Sequence, residues 1–144
     1  MHKVLFIGLG TMGFHMAGHL SKSNNVTVTG TVDAVVPYLS NATVAVVPLK
    51  FESGTRFKIL EAAVCETPIV STTLGAEGID IINGHHLLVA DDAKEFVSGI
   101  LQLLSDEPLR RRMTKAARNF VRKNYSLESL RKEVKTIIQH IEKL

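Results

Sequence analysis

Residues 53–78 constrain the fold of this chain more than any other stretch, because they predict a helix, a buried strand and a glycine-bearing loop in succession. Ser53 is a good N-cap for the helix, since its hydroxyl can accept a hydrogen bond from a free backbone N–H group of the first turn. An apolar stripe at helical spacing follows, and Pro68 ends the helix. Ile69 and Val70 form the short apolar run that is typical of a strand covered on both faces. This order predicts a parallel α/β sheet, which binds ligands at the carboxyl ends of its strands.

The same alternation of strands and helices continues along the whole chain. Apolar runs predict four more strands, over residues 4–7, 26–29, 44–47 and 86–89. Capping residues predict further helices that start at Asp33, Asp92, Asp106 and Ser126. We therefore predict a single α/β domain over residues 1–144. Its expected fold is a Rossmann-like, flavodoxin-like doubly wound parallel sheet of five strands in the order 2-1-3-4-5, followed by C-terminal helices.

The turn after the first predicted strand carries glycines at the spacing G-x-G-x-x-G, namely Gly8, Gly10 and Gly13. In a strand-to-helix turn this spacing indicates either a dinucleotide phosphate site or a tight, well-packed turn. An NAD site needs an acid at the end of the second strand, and an NADP site needs an arginine. The second predicted strand ends instead at Thr29 and Gly30, which favours the packed turn.

Two strings in the middle of the chain carry a family resemblance. They are P-x-x-x-x-S-G-T-R-x-K-x-L-E-A, from Pro48, and P-I-V-S-T-x-x-G-A-E-G, from Pro68. With their surroundings, about residues 25–130, they resemble the donor-binding C-terminal domain of retaining GT-B glycosyltransferases of the GT4-like group. The resemblance implies that Glu61 is the second glutamate of an E-x7-E motif and holds the ribose of a nucleotide sugar, with Ser53 in the place of the first. Glu66 stands where the family usually has a helix-ending glycine, which weakens the expected C-cap.

A second resemblance covers only residues 3–20, F-I-G-L-G-x-M-G-x-x-M-A-x-x-L and its preceding strand. It is similar to the N-terminus of β-hydroxyacid dehydrogenases such as 3-hydroxyisobutyrate dehydrogenase. We therefore predict a recombined or engineered chimera, with residues 1–24 dehydrogenase-like and residues 25–144 glycosyltransferase-like. The alternative is a natural, diverged fragment whose first turn converged on the glycine pattern.

The candidate ligand-binding residues combine the glycine turn with the start of the central helix. They are Gly8, Gly10, Thr11, Gly13, Ser53, Gly54, Thr55, Arg56, Lys58 and Glu61. The ligand that the resemblance implies is a UDP- or GDP-linked sugar, and NAD or NADP is disfavoured. The sequence assigns no catalytic residue and no metal ligand.

Composition limits the partners and the setting of the chain. The net charge, 17 basic against 14 acidic residues or +3, is too small to indicate a nucleic-acid partner by itself, and two tyrosines and no tryptophan offer little base stacking. No apolar run approaches the 18 residues of a membrane span. Cys65 is the only cysteine, so an intramolecular disulfide is excluded and a reduced, cytoplasmic setting is expected.

Three hypotheses for function follow. The first is the nucleotide-sugar donor-binding half of a GT-B glycosyltransferase, without turnover on its own because the acceptor domain is missing. The second is a glycosyltransferase that is active with a partner acceptor domain. The third is an NAD(P)-binding Rossmann domain.

Overall fold

A computed structural model of the chain describes residues 4–5, 29, 31–51 and 56–142. Four parallel strands form one sheet in these residues, and the strands follow one another across the sheet in chain order. Their bounds are β1 Val4–Leu5, β2 Val44–Val47, β3 Ile69–Ser71 and β4 Leu88–Val89. Val4 pairs with Val44 in β2, Val46 with Val70 in β3, and Val70 with Leu88 in β4.

This order agrees with part of the predicted five-strand sheet. The four described strands are the first, third, fourth and fifth of that prediction, and they lie in the expected sequence. The predicted second strand, residues 26–29, lies outside the described residues except for Thr29. The parallel α/β architecture is therefore confirmed, and the five-strand order 2-1-3-4-5 stays a prediction.

Six helices connect and follow the strands within the described part of the chain. They are α1 Val36–Asn41, α2 Phe57–Val64, α3 Thr73–Ala76, α4 Ala93–Ser105, α5 Glu107–Asn124 and α6 Leu127–Ile141. Three predicted caps are confirmed, because the side chains of Asp92, Asp106 and Ser126 each accept a hydrogen bond from the backbone N–H three residues later. Such caps satisfy N–H groups that the first helical turn leaves without partners.

Two apolar clusters cover the two faces of the sheet. One joins Ala45 and Ile69 to residues of α1, α2 and α5, including Ile59 of α2. The other joins their strand neighbours Val44 and Val70 to residues of α4 and α5. Successive strand residues point to opposite faces, so a strand buried on both sides must be apolar throughout. The sheet is thus covered from both sides, as the sequence predicts.

Several predicted boundaries were wrong. Helix α2 begins at Phe57, and not beside Ser53, because Arg56 precedes it with a non-helical backbone (φ −83°, ψ 52°). Helix α1 starts at Val36 and not at Asp33. The fifth predicted strand begins at Leu88 and not at His86. His86 belongs to a turn, in which its Nδ1 atom accepts a hydrogen bond from the N–H of Ile82 at 2.9 Å.

The C-terminal end of α2 carries Glu66 at the position where the resembled family usually has glycine. Glu66 has a φ of 55°, the left-handed conformation that glycine usually supplies at this place. Its N–H donates to the carbonyl of Ala63, and the N–H of Thr67 donates to that of Ala62, which is the hydrogen-bond pattern of a Schellman motif. The Glu66 carboxylate also forms an ion pair with Arg118 of α5. The C-cap therefore forms in spite of its unfavourable residue.

We predict that the Glu66→Gly variant is more stable than the Glu66→Ala variant by about 1 kcal/mol. Both variants lose the ion pair with Arg118, but only glycine relieves the left-handed strain. Urea unfolding of the two purified variants measures the difference. Equal stabilities would show that the backbone at this position carries no strain.

The buried His86 makes the stability of the fold depend on pH. Its side chain is 7% exposed, and its ring packs at 4.8 Å from that of Phe120. Burial, and then the nearby charge of His85, lower the pKa of His86 below its ordinary value of 6.5. Because the folded protein disfavours the protonated ring, stability that is present above pH 6.5 is lost as the pH falls through the interval between the unfolded and folded pKa values.

We therefore expect the free energy of unfolding to fall between about pH 7.5 and about pH 5.5, and to fall less in a His86→Asn variant. Asparagine keeps an oxygen that can accept from Ile82 but does not titrate. Urea unfolding of both proteins at the two pH values measures the difference between their slopes. Identical slopes would mean that His86 makes no contribution.

Candidate functional site

Thr72 links the ends of two neighbouring strands to the start of α3. Its backbone N–H donates to the carbonyl of Val47 at 3.2 Å, at the end of β2. Its hydroxyl donates to the carbonyl of Leu49 at 2.7 Å and accepts from the N–H of Gly75 at 3.0 Å. One side chain therefore fixes the segment after β2 against the first turn after β3. Open α/β sheets bind ligands at this edge.

Asp91 holds the other side of α3. Its carboxylate oxygens accept from the N–H and from the hydroxyl of Thr73, at 2.8 and 2.7 Å. These two hydrogen bonds, the one from the side chain first, lower the pKa of Asp91 below its ordinary range. Since Asp91 follows β4, the pair ties the carboxyl end of β4 to that of β3.

Arg56 brings a buried positive charge to the start of α2. Its side chain is only 7% exposed, and its Nη2 atom lies 3.4 Å from an oxygen of Glu77, which is 68% exposed. Glu77 is the C-cap of α3. The pair therefore joins the N-cap of one helix to the C-cap of another, across 21 positions of sequence. A guanidinium held in this way can offer several fixed donors to a planar anion.

Lys58 and Glu61 lie on α2 itself, three residues apart, so they occupy the same side of the helix. Both side chains are half-buried. Within the described part of the chain, no hydrogen bond or ion pair joins the Glu61 carboxylate to another group.

The structure places only three of the ten predicted ligand residues. Arg56 is the N-cap of α2, Lys58 lies in its first turn and Glu61 in its second. The others, Gly8, Gly10, Thr11, Gly13, Ser53, Gly54 and Thr55, lie outside the described residues. The N–H groups at the start of α2 belong to Phe57 and Lys58, three positions later than the predicted cap at Ser53 implied.

Sequence reasoning missed Thr72, Thr73, Glu77 and Asp91 as parts of this edge. The string S-T-x-x-G-A-E-G contains three of them, but its residue types indicate only a turn. The contacts with Leu49 and Asp91 span 23 and 18 positions, so no local pattern could show them. The available signal was the Thr72-x-x-Gly75 spacing, which is that of an N-cap and the N–H it serves.

Gly75 is required for the close approach of α3 to the strand ends. A Cβ atom added there would lie 2.4 Å from the hydroxyl of Ser71 and 3.1 Å from the carbonyl of Val47. Real Cβ contacts are essentially never as short as 2.4 Å, so either the Ser71 hydroxyl or α3 itself would have to shift. The absence of a side chain thus sets the geometry of this edge.

We predict that Gly75→Ala lowers the free energy of unfolding by about 1–3 kcal/mol, the usual cost of overpacking. The double variant Ser71→Ala/Gly75→Ala removes the hydroxyl in the shortest contact and should recover part of the loss. Urea unfolding of the wild type, both single variants and the double variant gives the coupling energy. A neutral Gly75→Ala, or no recovery in the double variant, would contradict this packing.

The described residues contain no group of three or more His, Cys, Asp or Glu side chains that could hold a metal ion. Among the helices that the structure describes, none has the length and apolarity needed to cross a membrane.

The fold is similar to those of known glycosyl transferases. Sucrose-phosphate synthase from Thermosynechococcus elongatus superposes with a TM-score of 0.77 over 92% of this chain and 35% of its own, at 23% identity. The C-terminal domain of a glycosyl transferase group 1 family protein from Francisella tularensis gives a TM-score of 0.65 over 81% of this chain and 62% of its own, at 13% identity. At these identities the likeness shows the fold alone, an α/β fold whose parallel sheet resembles a GT-B domain. The chain spans about a third of the synthase's length.

Sequence comparison adds the family. No curated protein matches the chain in sequence. The family model described as "Glycosyl transferases group 1" matches residues 2–106. The match includes the segment that resembles a dehydrogenase, and the comparisons give that second resemblance no support. Because the match covers more than half of the sequence, the chain belongs to the group 1 glycosyl transferases.

Proposed function

We propose that this chain is the donor-binding half of a glycosyltransferase and holds a nucleoside diphosphate sugar at the carboxyl ends of β2 and β3. The observation that carries the proposal is the buried Arg56 at the start of α2, within a chain that belongs to the group 1 family. A guanidinium presents its donors in a fixed planar fork, which matches the geometry of a phosphate. The diphosphate supplies such an anion.

The diphosphate lies at the N-terminal end of α2. The side chain of Arg56, the N-cap residue, makes no capping hydrogen bond to the first turn. The helix dipole places partial positive charge at this end. Arg56 and Lys58 add two positive charges within the first turn. Charge-assisted hydrogen bonds of this kind are about twice as strong as neutral ones.

Glu61 binds the ribose of the nucleotide, as the E-x7-E motif implies. Its half-buried carboxylate has no hydrogen bond to another described residue, and it lies on the same side of the helix as Lys58. A carboxylate can accept from both ribose hydroxyls, since it carries two oxygens and no proton at neutral pH. This contact fixes the nucleoside while the helix start holds the phosphates.

Binding proceeds without transfer when this chain acts alone. The family's reaction takes place in a cleft between a donor domain and an acceptor domain, and this chain matches about a third of the synthase. Holding two reactants in register contributes about 7–11 kcal/mol to lowering a barrier. The second candidate is an active glycosyltransferase in which a partner supplies the acceptor domain.

Two finer expectations stay predictions. The chimera is one of them. It has no support from the family model, which runs from residue 2 across the supposed join. A cytoplasmic setting is the other. An NAD(P) site is disfavoured because the second predicted strand ends at Thr29 and Gly30, without the acid or arginine that such a site needs.

We predict that UDP- or GDP-sugars bind and that Glu61→Gln weakens binding about tenfold or more, since hydrogen bonds to charged groups contribute about 1.5–3 kcal/mol. Calorimetric titration with UDP-glucose, GDP-mannose, UDP, GDP, NAD and NADP measures the affinities. Glu128→Gln, an exposed position on α6, is the matched control and should bind like the wild type. Both variants should retain the wild-type stability within about 0.5 kcal/mol.

Tighter binding of NAD or NADP than of every nucleotide and nucleotide sugar would overturn the proposal. Equal affinities of Glu61→Gln and the wild type would remove Glu61 from the site. Release of free sugar or transfer to an acceptor, above the rate without protein, would contradict the expected lack of turnover. Transfer that appears only with a second chain would support the partner-domain alternative.

A further inference from the structure

Helix α5 concentrates positive charge on one element of the domain. Of the chain's 17 basic and 14 acidic residues, this helix of 18 residues contains seven basic residues and one acidic residue. Because the whole chain carries a net charge of only +3, the rest of the chain is net negative. The small overall charge therefore hides a strong local excess on α5.

The exposed basic residues of α5 lie on the side of the helix that faces away from the sheet. They are Arg111, Arg112, Lys115, Arg122 and Lys123, here called the basic face. At 3.6 residues per turn, these five positions fall within about 120° of the helix circumference. The buried residues, which include Leu109, Met113 and Val121, occupy the opposite side. The charge is thus gathered on one surface and not spread around the helix.

Part of the charge on α5 is paired within the domain. Arg111 forms an ion pair with Glu107 at 2.7 Å, and Arg118, beside the basic face, pairs with Glu66 of the α2 C-cap. The other four members of the basic face form no hydrogen bond or ion pair with any described residue; they are Arg112, Lys115, Arg122 and Lys123.

Helix stability accounts for only two of these four charges. Arg122 and Lys123 lie in the last turn, where positive charge interacts favourably with the helix dipole. Arg112 and Lys115 lie in the first half of the helix, where the dipole gives no such benefit. They also repel each other, since residues three apart are neighbours on a helix surface. An anionic partner outside the domain would remove this repulsion.

We propose that α5 rests its basic face on the anionic phospholipid surface of a membrane, in a peripheral electrostatic contact. Guanidinium groups present fixed donors that match phosphate geometry. Each Lys or Arg close to an anionic leaflet strengthens binding about fivefold. From Arg111 to Lys123 the basic face extends about 18 Å along the helix axis, so several head groups contact it at once. This contact does not require a ligand at the strand ends.

The composition of the basic face favours a membrane over other anionic partners. Every exposed residue from Arg111 to Lys123 is basic except Asn119. A single strand of nucleic acid needs aromatic side chains for base stacking, and the core of a protein interface is depleted of charge. The major groove of a duplex admits a whole helix, whereas one side of α5 is packed against the domain. Lipid head groups form a plane that needs neither an aromatic platform nor a free helix.

Co-sedimentation of the full chain with vesicles tests the contact. The chain should bind phosphatidylcholine vesicles that contain about 30% phosphatidylglycerol and not vesicles of phosphatidylcholine alone, since anionic lipid supplies the surface potential. Raising the salt from about 0.05 M to about 0.5 M should weaken binding at least about tenfold, because salt screens exposed charges. Absence of binding at low salt would overturn the proposal. Salt-resistant binding would do the same, since it indicates insertion of apolar side chains such as those of α6.

The double variant Arg112→Gln/Lys115→Gln removes the two charges that helix stability does not explain. At about fivefold per charge, its affinity for the anionic vesicles should fall about 20-fold. Arg131→Gln/Lys132→Gln is the matched control, because it removes the same two residue types from exposed positions on α6. Its affinity should fall by less than about threefold, since these residues lie outside the basic face. Equal losses in the two double variants would overturn the assignment to α5.

Both double variants should fold like the wild type, because glutamine is a good helix former and all four positions are exposed. Circular dichroism and the midpoint of urea unfolding check this.

Competition identifies the class of the partner. A DNA duplex and polyglutamate are each added to the vesicle assay at the same concentration of negative charge as the anionic lipid. Retention of the chain on the vesicles would support a membrane contact. Transfer of the chain to the duplex or to polyglutamate would assign the basic face to nucleic acid or to an acidic protein, and would overturn the proposal.

Discussion

The hydrogen bonds of Thr72 hold together the edge of the sheet on which the candidate site depends. They connect the end of β2, the segment at Leu49 and the first turn of α3 through one side chain. Gly75 makes this connection possible, because any side chain at that position would meet Ser71 and the backbone of Val47. If this contact opened, α3 would separate from the sheet. Glu77, at the end of α3, would then move away from Arg56.

The position of α3 places the carboxylate of Glu77 3.4 Å from the buried guanidinium of Arg56. A charge that is 93% removed from solvent loses most of its hydration, and an ion pair restores only part of the loss when the partner is exposed. Arg56 therefore depends on its neighbours for stabilisation, and Glu77 at the end of α3 is one of them.

The two faces of the sheet are buried by helices, whereas the last helix has no buried residue in the described structure. Both faces are closed by α1, α2, α4 and α5, and α5 contributes to both apolar clusters. Helix α6 follows these elements in the chain, and none of its residues is buried by the described part of the structure.

The sequence by itself determined the parallel α/β class, the strands at residues 44–47 and 69–70, and the caps at Asp92, Asp106 and Ser126. These features depend on residues close together in the chain: a strand covered on both faces must be apolar throughout, and a cap serves N–H groups three residues away. The family strings also named Arg56, Lys58 and Glu61 as candidate ligand residues, which stays a prediction. Only the tertiary structure decided the start of α2, the left-handed Glu66 and the pairing of Arg56 with Glu77. These depend on contacts between distant positions, such as Glu66 with Arg118 across 52 residues, and tertiary packing can impose backbone conformations that local preference disfavours.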